Sequence, residues 1–185
     1  PGMRYPLVGL ALGLALAATQ CAAQAPAPKS PLPARKSGLW EVTLGSSAPG
    51  PRQGQTLLQC TSAEAEPVML MAIVPAQENC RKVKVDRRAK GYGIQTECYM
   101  HGNRVEARME LAGDLQSAYK GSFSVNPPPA PGAAPAVFEG RWLGACKPGQ
   151  RPGDMVLPNG ITVNVVADRQ RAEAVQERED HGHAH

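Results

Sequence analysis

The chain predicts a mainly β domain: a curved antiparallel β-meander or partial barrel of about seven to eight strands with one short helical segment. Two stretches of alternation and the cysteine usage carry that expectation. From Ile94 the apolar or small residues fall on every second position (Ile94, Thr96, Cys98, Met100), and beyond Gly102-Asn103 the alternation resumes with Val105, Ala107, Met109 and Leu111. A period of two broken by a Gly-Asn pair is the pattern of an antiparallel hairpin with one face in a core and one in water. With Gly102 and Asn103 as its loop, Met100 opposes Val105, Cys98 opposes Ala107, Thr96 opposes Met109 and Ile94 opposes Leu111, while on the wet face Glu97 meets Arg108. A one-residue slip would undo all of these matches together, so the register is well specified. A second hairpin extends the inward phase through Leu115, Ser117, Tyr119, Gly121, Phe123 and Val125; a loop over Ala112, Gly113 and Asp114 sets Leu111 against Leu115 and Glu106 across from Lys120.

Taken in order, residues 1–23 have the layout of an export signal: Arg4, an unbroken apolar run from Leu7 to Ala18, and small residues at Cys21 and Ala23 for cleavage before Gln24. The run is shorter than the ~20 residues that span a bilayer. Soluble export to the periplasm or beyond is the reading; a lipoprotein anchored at Cys21 is the alternative, disfavoured by the bulk of Gln20. Of the 185 residues, 162 then remain, a length that fits one domain. Removing Arg4 from the 20 Lys plus Arg leaves 19 against 16 Asp plus Glu, a net charge of +3 that is too mild to argue for nucleic acid.

Residues 24–35 are rich in Pro and Ala and read as an extended, unpacked tether. The disulfide-linked β domain is expected over residues 36–167. Its first strand alternates Gly38, Trp40, Val42 and Leu44 with Leu39, Glu41 and Thr43, and a second covers residues 56–60, where Leu58 and Cys60 share a face. Thr61-Ser62-Ala63-Glu64 has the spacing of a capping box with Thr61 as the cap. Pro67 interrupts that helix and Val68 to Val74 is solidly apolar, which reads as a kinked helical plug on one end of the sheet rather than a lid or membrane anchor. Residues 81–86 and 92–100 form the next pair, an arm carrying Arg81, Lys82, Lys84, Arg87, Arg88 and Lys90. Such a run could meet an anionic surface such as lipid headgroups, but a charged edge strand is also how sheets avoid pairing with one another. The Pro-rich residues 126–135 cannot be a strand. A further inward-phased strand carries Ala136, Phe138, Gly140, Trp142, Gly144 and Cys146, and residues 155–157 with 161–166 flank Pro158-Asn159-Gly160 as a small hairpin. Residues 168–180 are helix-permissive but polar all round, so they read as frayed or disordered rather than packed, the start of a flexible, His-ended tail over residues 168–185.

Without the leader four cysteines remain, Cys60, Cys80, Cys98 and Cys146, an even number in an oxidising compartment and hence two disulfides. Cys80 and Cys98 lie symmetrically about the turn near Ala89 and can face each other across one hairpin, leaving Cys60 for Cys146. Val83 and Val85 are out of phase with Cys80, so that pairing needs a bulge or a strand starting after Cys80; Cys60 with Cys80 and Cys98 with Cys146 is the rival. No C-x-x-C spacing suggests zinc or thiol redox chemistry, and no cofactor is implied. Trp40, Trp142, Tyr119 and Phe123 are the candidate core or ligand-lining aromatics, with both tryptophans expected in one core. His181, His183 and His185 beside Glu179 and Asp180 could hold a divalent metal weakly. His101, at a hairpin tip, reads as a turn residue. No nucleophile, base and orienter can be assembled, and no G-x-S-x-G, H-E-x-x-H or P-loop pattern is present, so an enzyme is not expected.

Gly38-Leu39-Trp40-Glu41-Val42, Cys60-Thr61, the Cys80 and Cys98 pair, Gly113-Asp114 with Ser117-Ala118-Tyr119, and Trp142-Leu143-Gly144-Ala145-Cys146 follow one another in an order and spacing that resembles the bacterial domain-of-unknown-function family numbered 3617, small exported proteins of unassigned role. The resemblance covers roughly residues 36–160 and supplies no catalytic residues; the Pro-rich insert and the His-ended tail look like departures from it. Two functions follow as expectations: an exported protein binding a small apolar or lipid-like molecule between the sheet and the Val68 to Val74 segment, or a structural, partner-binding envelope protein with no small-molecule ligand.

Overall fold

The computed structural model describes residues 2, 31–46, 54–73, 80–100, 102–128 and 130–182. Apart from Gly2, the expected leader, with the cleavage and lipidation sites, lies outside the described residues, as does Val74 of the apolar run. Among the described residues nine strands form one antiparallel sheet: β1 (Gly38–Ser46), β2 (Gln55–Thr61), β3 (Cys80–Arg88), β4 (Gly91–Met100), β5 (Asn103–Gly113), β6 (Ala118–Asn126), β7 (Ala136–Gly144), β8 (Asp154–Val156) and β9 (Thr162–Asn164). Their spatial order is β3-β4-β5-β6-β7-β1-β2-β8-β9, so β3 to β7 run as a meander that docks on the β1–β2 hairpin, and the sheet stays open rather than closing into a barrel. The short β8–β9 pair brings the number to nine. A four-residue helix, α1 (Glu66–Met69), lies in the connection from β2 to β3, which must cross from one side of the sheet to its far edge.

The β4–β5 hairpin keeps the expected phase, but its register differs by two residues. Met100 pairs with Asn103, Cys98 with Val105, Thr96 with Ala107, Ile94 with Met109 and Tyr92 with Leu111. The chain reverses one residue earlier than expected, around Gly102 at φ +77°, a left-handed conformation that glycine adopts without a steric penalty. A shift of two leaves every side chain on its own face, so hydrophobic alternation alone could not decide between the registers. On the wet face Glu97 now stands across from Glu106 and instead meets Lys82 and Arg104, at 3.3 and 3.1 Å. The next hairpin also differs: Gly113 pairs with Tyr119 and Leu111 with Gly121, so the loop is residues 114–117 and Glu106 faces Asn126. Asp114 explains the longer loop, since its carboxylate accepts hydrogen bonds from the backbone N–H groups of Gln116, Ser117 and Ala118 and from the Ser117 hydroxyl.

One face of the sheet carries the core. Trp40, Val42, Ile94, Met109, Tyr119 and Phe138 are buried on it, in one cluster with Leu70, Met71 and Ile73 from the turn after α1. The apolar segment is therefore a plug, as expected. The expected capping box does not form: Thr61 ends β2, the Ser62 hydroxyl accepts from the Ala65 N–H at 3.3 Å in the turn before the helix, and Ala65, the N-cap of α1, makes no side-chain capping bond. Across β6 and β7, Tyr119 pairs with Gly140 and Gly121 with Phe138, and a Cβ at either glycine would overlap the facing ring. Each aromatic thus occupies the space a side chain would fill at a glycine on the neighbouring strand.

Three expectations need correction. The tether does not run unpacked to its end, because Pro33 and Arg35 are buried and residues 31–37 cross the core face; Arg35 enters the core because it finds a buried carboxylate there. Trp142 does pair with Trp40 across β7 and β1, but only Trp40 is fully buried; Trp142 is half-buried under the Lys36 ammonium, 3.6 Å from its ring centre, and donates to the Ser37 carbonyl. The helix-permissive stretch expected to be frayed or disordered is helical through Gly182, as α2 (Val165–Gly182), despite its polar composition. The Asn164 side chain accepts from the Ala167 N–H and donates to Asp154, an N-cap anchored to β8.

Candidate functional site

The largest concentration of buried polar chemistry is a cluster centred on Arg35, whose side chain is 1% exposed, and Glu66, at 2%. The Arg35 Nε donates to Glu66 Oε1 at 2.6 Å and Nη2 to Oε2 at 3.1 Å, a two-pronged pairing that a planar guanidinium makes with a carboxylate. The Arg35 backbone N–H adds a bond to Oε1, and Thr61 donates its hydroxyl to Oε2 at 2.6 Å. The remaining guanidinium nitrogen, Nη1, reaches Gln59 Oε1 at 2.8 Å and the Tyr119 hydroxyl at 3.0 Å. The Trp40 and Tyr119 rings lie on the same cation, 5.5 and 5.7 Å from it. Among the described residues no buried side-chain nitrogen or oxygen lacks a partner.

This cluster joins the pre-β1 segment, β1, β2, α1 and β6. Burial alone would lower the Arg35 pKa, but Tyr119 and Glu66 outweigh it and hold the guanidinium protonated. Burial pushes the Tyr119 phenol up against the opposing pull of Arg35, so it stays neutral. Enclosed on all sides, the group is suited to locking five elements together rather than to meeting a substrate. Sequence reasoning missed Arg35, Gln59 and Glu66. Tyr119, a candidate aromatic, proves to be core, and Phe123 is half-buried and packs on Phe138 with ring centres 6.5 Å apart.

The space expected to hold a ligand, between the sheet and α1, is thus largely filled by the chain itself. Among the described residues a groove of about 280 Å³ opens at one side, where Leu32, Val68, Met71, Val83 and Thr96 line the walls, with Arg169 of α2, paired with Glu173, at one flank. Cys80 is also on its wall. The disulfides join Cys80 to Cys98 and Cys60 to Cys146, with Cα separations of 3.9 and 5.5 Å. A bulge between Arg81 and Lys84, with Lys82 at φ +55°, reconciles the phase of Cys80 with that of Val85. The outer face is polar and carries side-by-side ion pairs, among them Arg88–Glu110, Lys120–Glu139 and Arg141–Glu41. His101, His183 and His185 lie outside the described residues, as does the side chain of His181 at the end of α2. Among the described residues no helix is long and apolar enough to cross a membrane.

An open antiparallel sheet stapled by two disulfides, with one face plugged by its own connection, defines a small disulfide-linked β protein, and the disulfides fit an oxidising, non-cytoplasmic location. The chain belongs to the family described as protein of unknown function DUF3617, whose model matches residues 35–146, from the buried arginine to the last disulfide cysteine. No curated protein and no solved structure matches it.

Proposed function

We propose that this protein is an exported, non-catalytic binding protein of the cell envelope that seats the apolar part of a lipid-like molecule in the groove beside α1. The observation that carries this reading is the groove itself, walled by Leu32, Val68, Met71 and Val83, an apolar lining that suits an acyl segment; Arg169 at its flank is already paired with Glu173 at 2.9 Å. Its volume of about 280 Å³ is near the lower end of the ~300–1,000 Å³ of small-molecule sites, so it takes a single acyl segment rather than a whole lipid. The two disulfides and the leader-like start support export. A catalytic role is disfavoured because the buried Arg35, Glu66 and Tyr119 satisfy one another and are closed to solvent.

Native mass spectrometry of protein purified from its host's envelope tests the proposal. Wild type should retain an apolar species that the Val83→Glu variant lacks; Val83 is 40% exposed, so the fold tolerates the charge. A wild-type protein that carries nothing and takes up no added decanoate would overturn it. The second reading, a partner-binding envelope protein without a small ligand, is favoured by the filling of the core face with Arg35, Glu66 and Met69.

A further inference from the structure

The positive charge on the sheet is unevenly neutralised. Lys82 and Arg104 share Glu97, and Arg88, Arg108, Lys120 and Arg141 each have a glutamate within ion-pair distance. Arg81, Lys84, Arg87 and Lys90 have no carboxylate partner among the described residues, and Arg87 only stacks on Tyr92. All four lie on β3 or its turn, and β3 is the long strand at the open end of the sheet; the opposite end, β9, is three residues. Lys84 to Arg88 pair with β4 in unbroken register on one side, with exposed side chains at every position except half-buried Val85, and among the described residues no strand pairs with the alternate backbone N–H and C=O groups on the other side.

We propose that β3 is a docking edge that accepts an acidic extended peptide from another protein as an added antiparallel or parallel strand. Backbone hydrogen bonds supply the affinity in this mode of recognition and side chains the selectivity. A second copy of this chain is a poor occupant, because β3 carries five cations and only one carboxylate, Asp86, so pairing it with itself leaves most Lys and Arg beside other cations. A strand whose Glu or Asp residues lie on the outer face places opposite charge beside Lys84 and the Lys90 turn, with Asp86 the one carboxylate between them; Arg87 stands on the other face, against Tyr92. The proposal rests on the partner-binding reading and needs no ligand in the groove.

The probe is a fluorescein-labelled octapeptide of alternating Glu and Val, titrated at low salt against the full chain by fluorescence anisotropy. A Lys-Val analogue, an alternately N-methylated Glu-Val peptide and vesicles with anionic phospholipid serve as the comparisons. The acidic peptide should bind, slow hydrogen exchange at the amides of residues 84–88, and weaken at least tenfold with the Lys84→Glu/Lys90→Glu variant, whose two side chains are exposed. The basic and N-methylated peptides should not bind. Equal binding of the N-methylated peptide would reduce the contact to charge alone, binding to vesicles but not peptide would make the arm a lipid-facing surface, and binding to neither would leave a guarded edge; each result overturns the proposal. None of them bears on native mass spectra, so failure here and failure of the groove reading are told apart.

Discussion

Replacing Arg35 by Met keeps most of the buried stem while deleting the guanidinium, and its cost can be worked from the contacts. Glu66 would lose its countercharge and the bonds at 2.6 and 3.1 Å, retaining only the Arg35 backbone N–H and the Thr61 hydroxyl. Gln59 Oε1 and the Tyr119 oxygen would lose their donor as well. Removing one member of a buried pair costs ~3–5 kcal/mol, a large part of the ~5–15 kcal/mol that holds a domain folded. The orphaned acceptors belong to the same network, so their penalties do not add independently. Glu66→Met should cost about as much, whereas the double variant Arg35→Met/Glu66→Met should recover most of the loss, because no unpaired charge is left in the core. Urea unfolding at pH 7, followed by tryptophan fluorescence, gives all four stabilities of the cycle. A loss under about 1 kcal/mol for Arg35→Met, or a double variant as unstable as the sum of the singles, would refute the lock.

Trp40→Ala should destabilise by ~3–5 kcal/mol, as for a fully buried aromatic, but Trp142→Ala by only ~1–2, since it loses a half-exposed ring, one hydrogen bond and the Lys36 contact; equal melting temperatures for the two variants would contradict the difference. Opening Cys60–Cys146, with a separation of 86 residues, should cost about 4.6 kcal/mol in chain entropy against about 3.2 for Cys80–Cys98, with 18. Urea midpoints of the paired Cys→Ser variants check that order. Hydrogen bonds from Ser117 and Gln116 hold the Asp114 carboxyl far below the usual carboxylate range. A depressed folded pKa means that its stabilisation is complete above the unfolded value, near ~3.9, and fades as pH falls toward the lower folded one. Asp114→Asn should therefore lie below wild type in stability by a constant margin at neutral pH and converge on it in acid. Gly140→Ala should push the Tyr119 ring off its seat and cost ~1–3 kcal/mol by overpacking, read from the same urea curves.

The parts of the fold that were legible are those whose information is local. Alternation around Gly102 fixed the faces of β4 and β5, and the phase conflict between Cys80 and Val83 pointed to the bulge that the structure contains. The hairpin register was not legible, because shifts of two preserve every face and loop chemistry alone separates them. Arg35 was unreadable for a different reason. At the end of a Pro- and Ala-rich stretch a cation looks solvated, and its partners Gln59, Glu66 and Tyr119 stand 24, 31 and 84 residues away. Nothing in a one-dimensional pattern marks a buried ion pair made at such distances. The helical tendency of α2 was legible but its order was not, because the polar composition hid a start signal: Asn164 sits one residue before it, in the position of a cap. Of the candidate site, the Val68 to Ile73 wall was legible as an apolar run, while its opposite wall, from Leu32 and the Val83 bulge, emerged only from the sheet order.

The groove reading is tested most directly by titrating isotopically labelled protein with decanoate and following each backbone amide by NMR. Shifts should saturate with one molecule bound and concentrate at Leu32, Val68, Met71, Val83 and Thr96, with the indole N–H of Trp40, bonded to the Lys36 carbonyl at 2.8 Å, unmoved. Shifts centred on Trp40 and Tyr119 would mean that the core face opens to admit the ligand, and a spectrum unchanged at millimolar decanoate would mean that the groove binds no acyl chain; either would contradict the account.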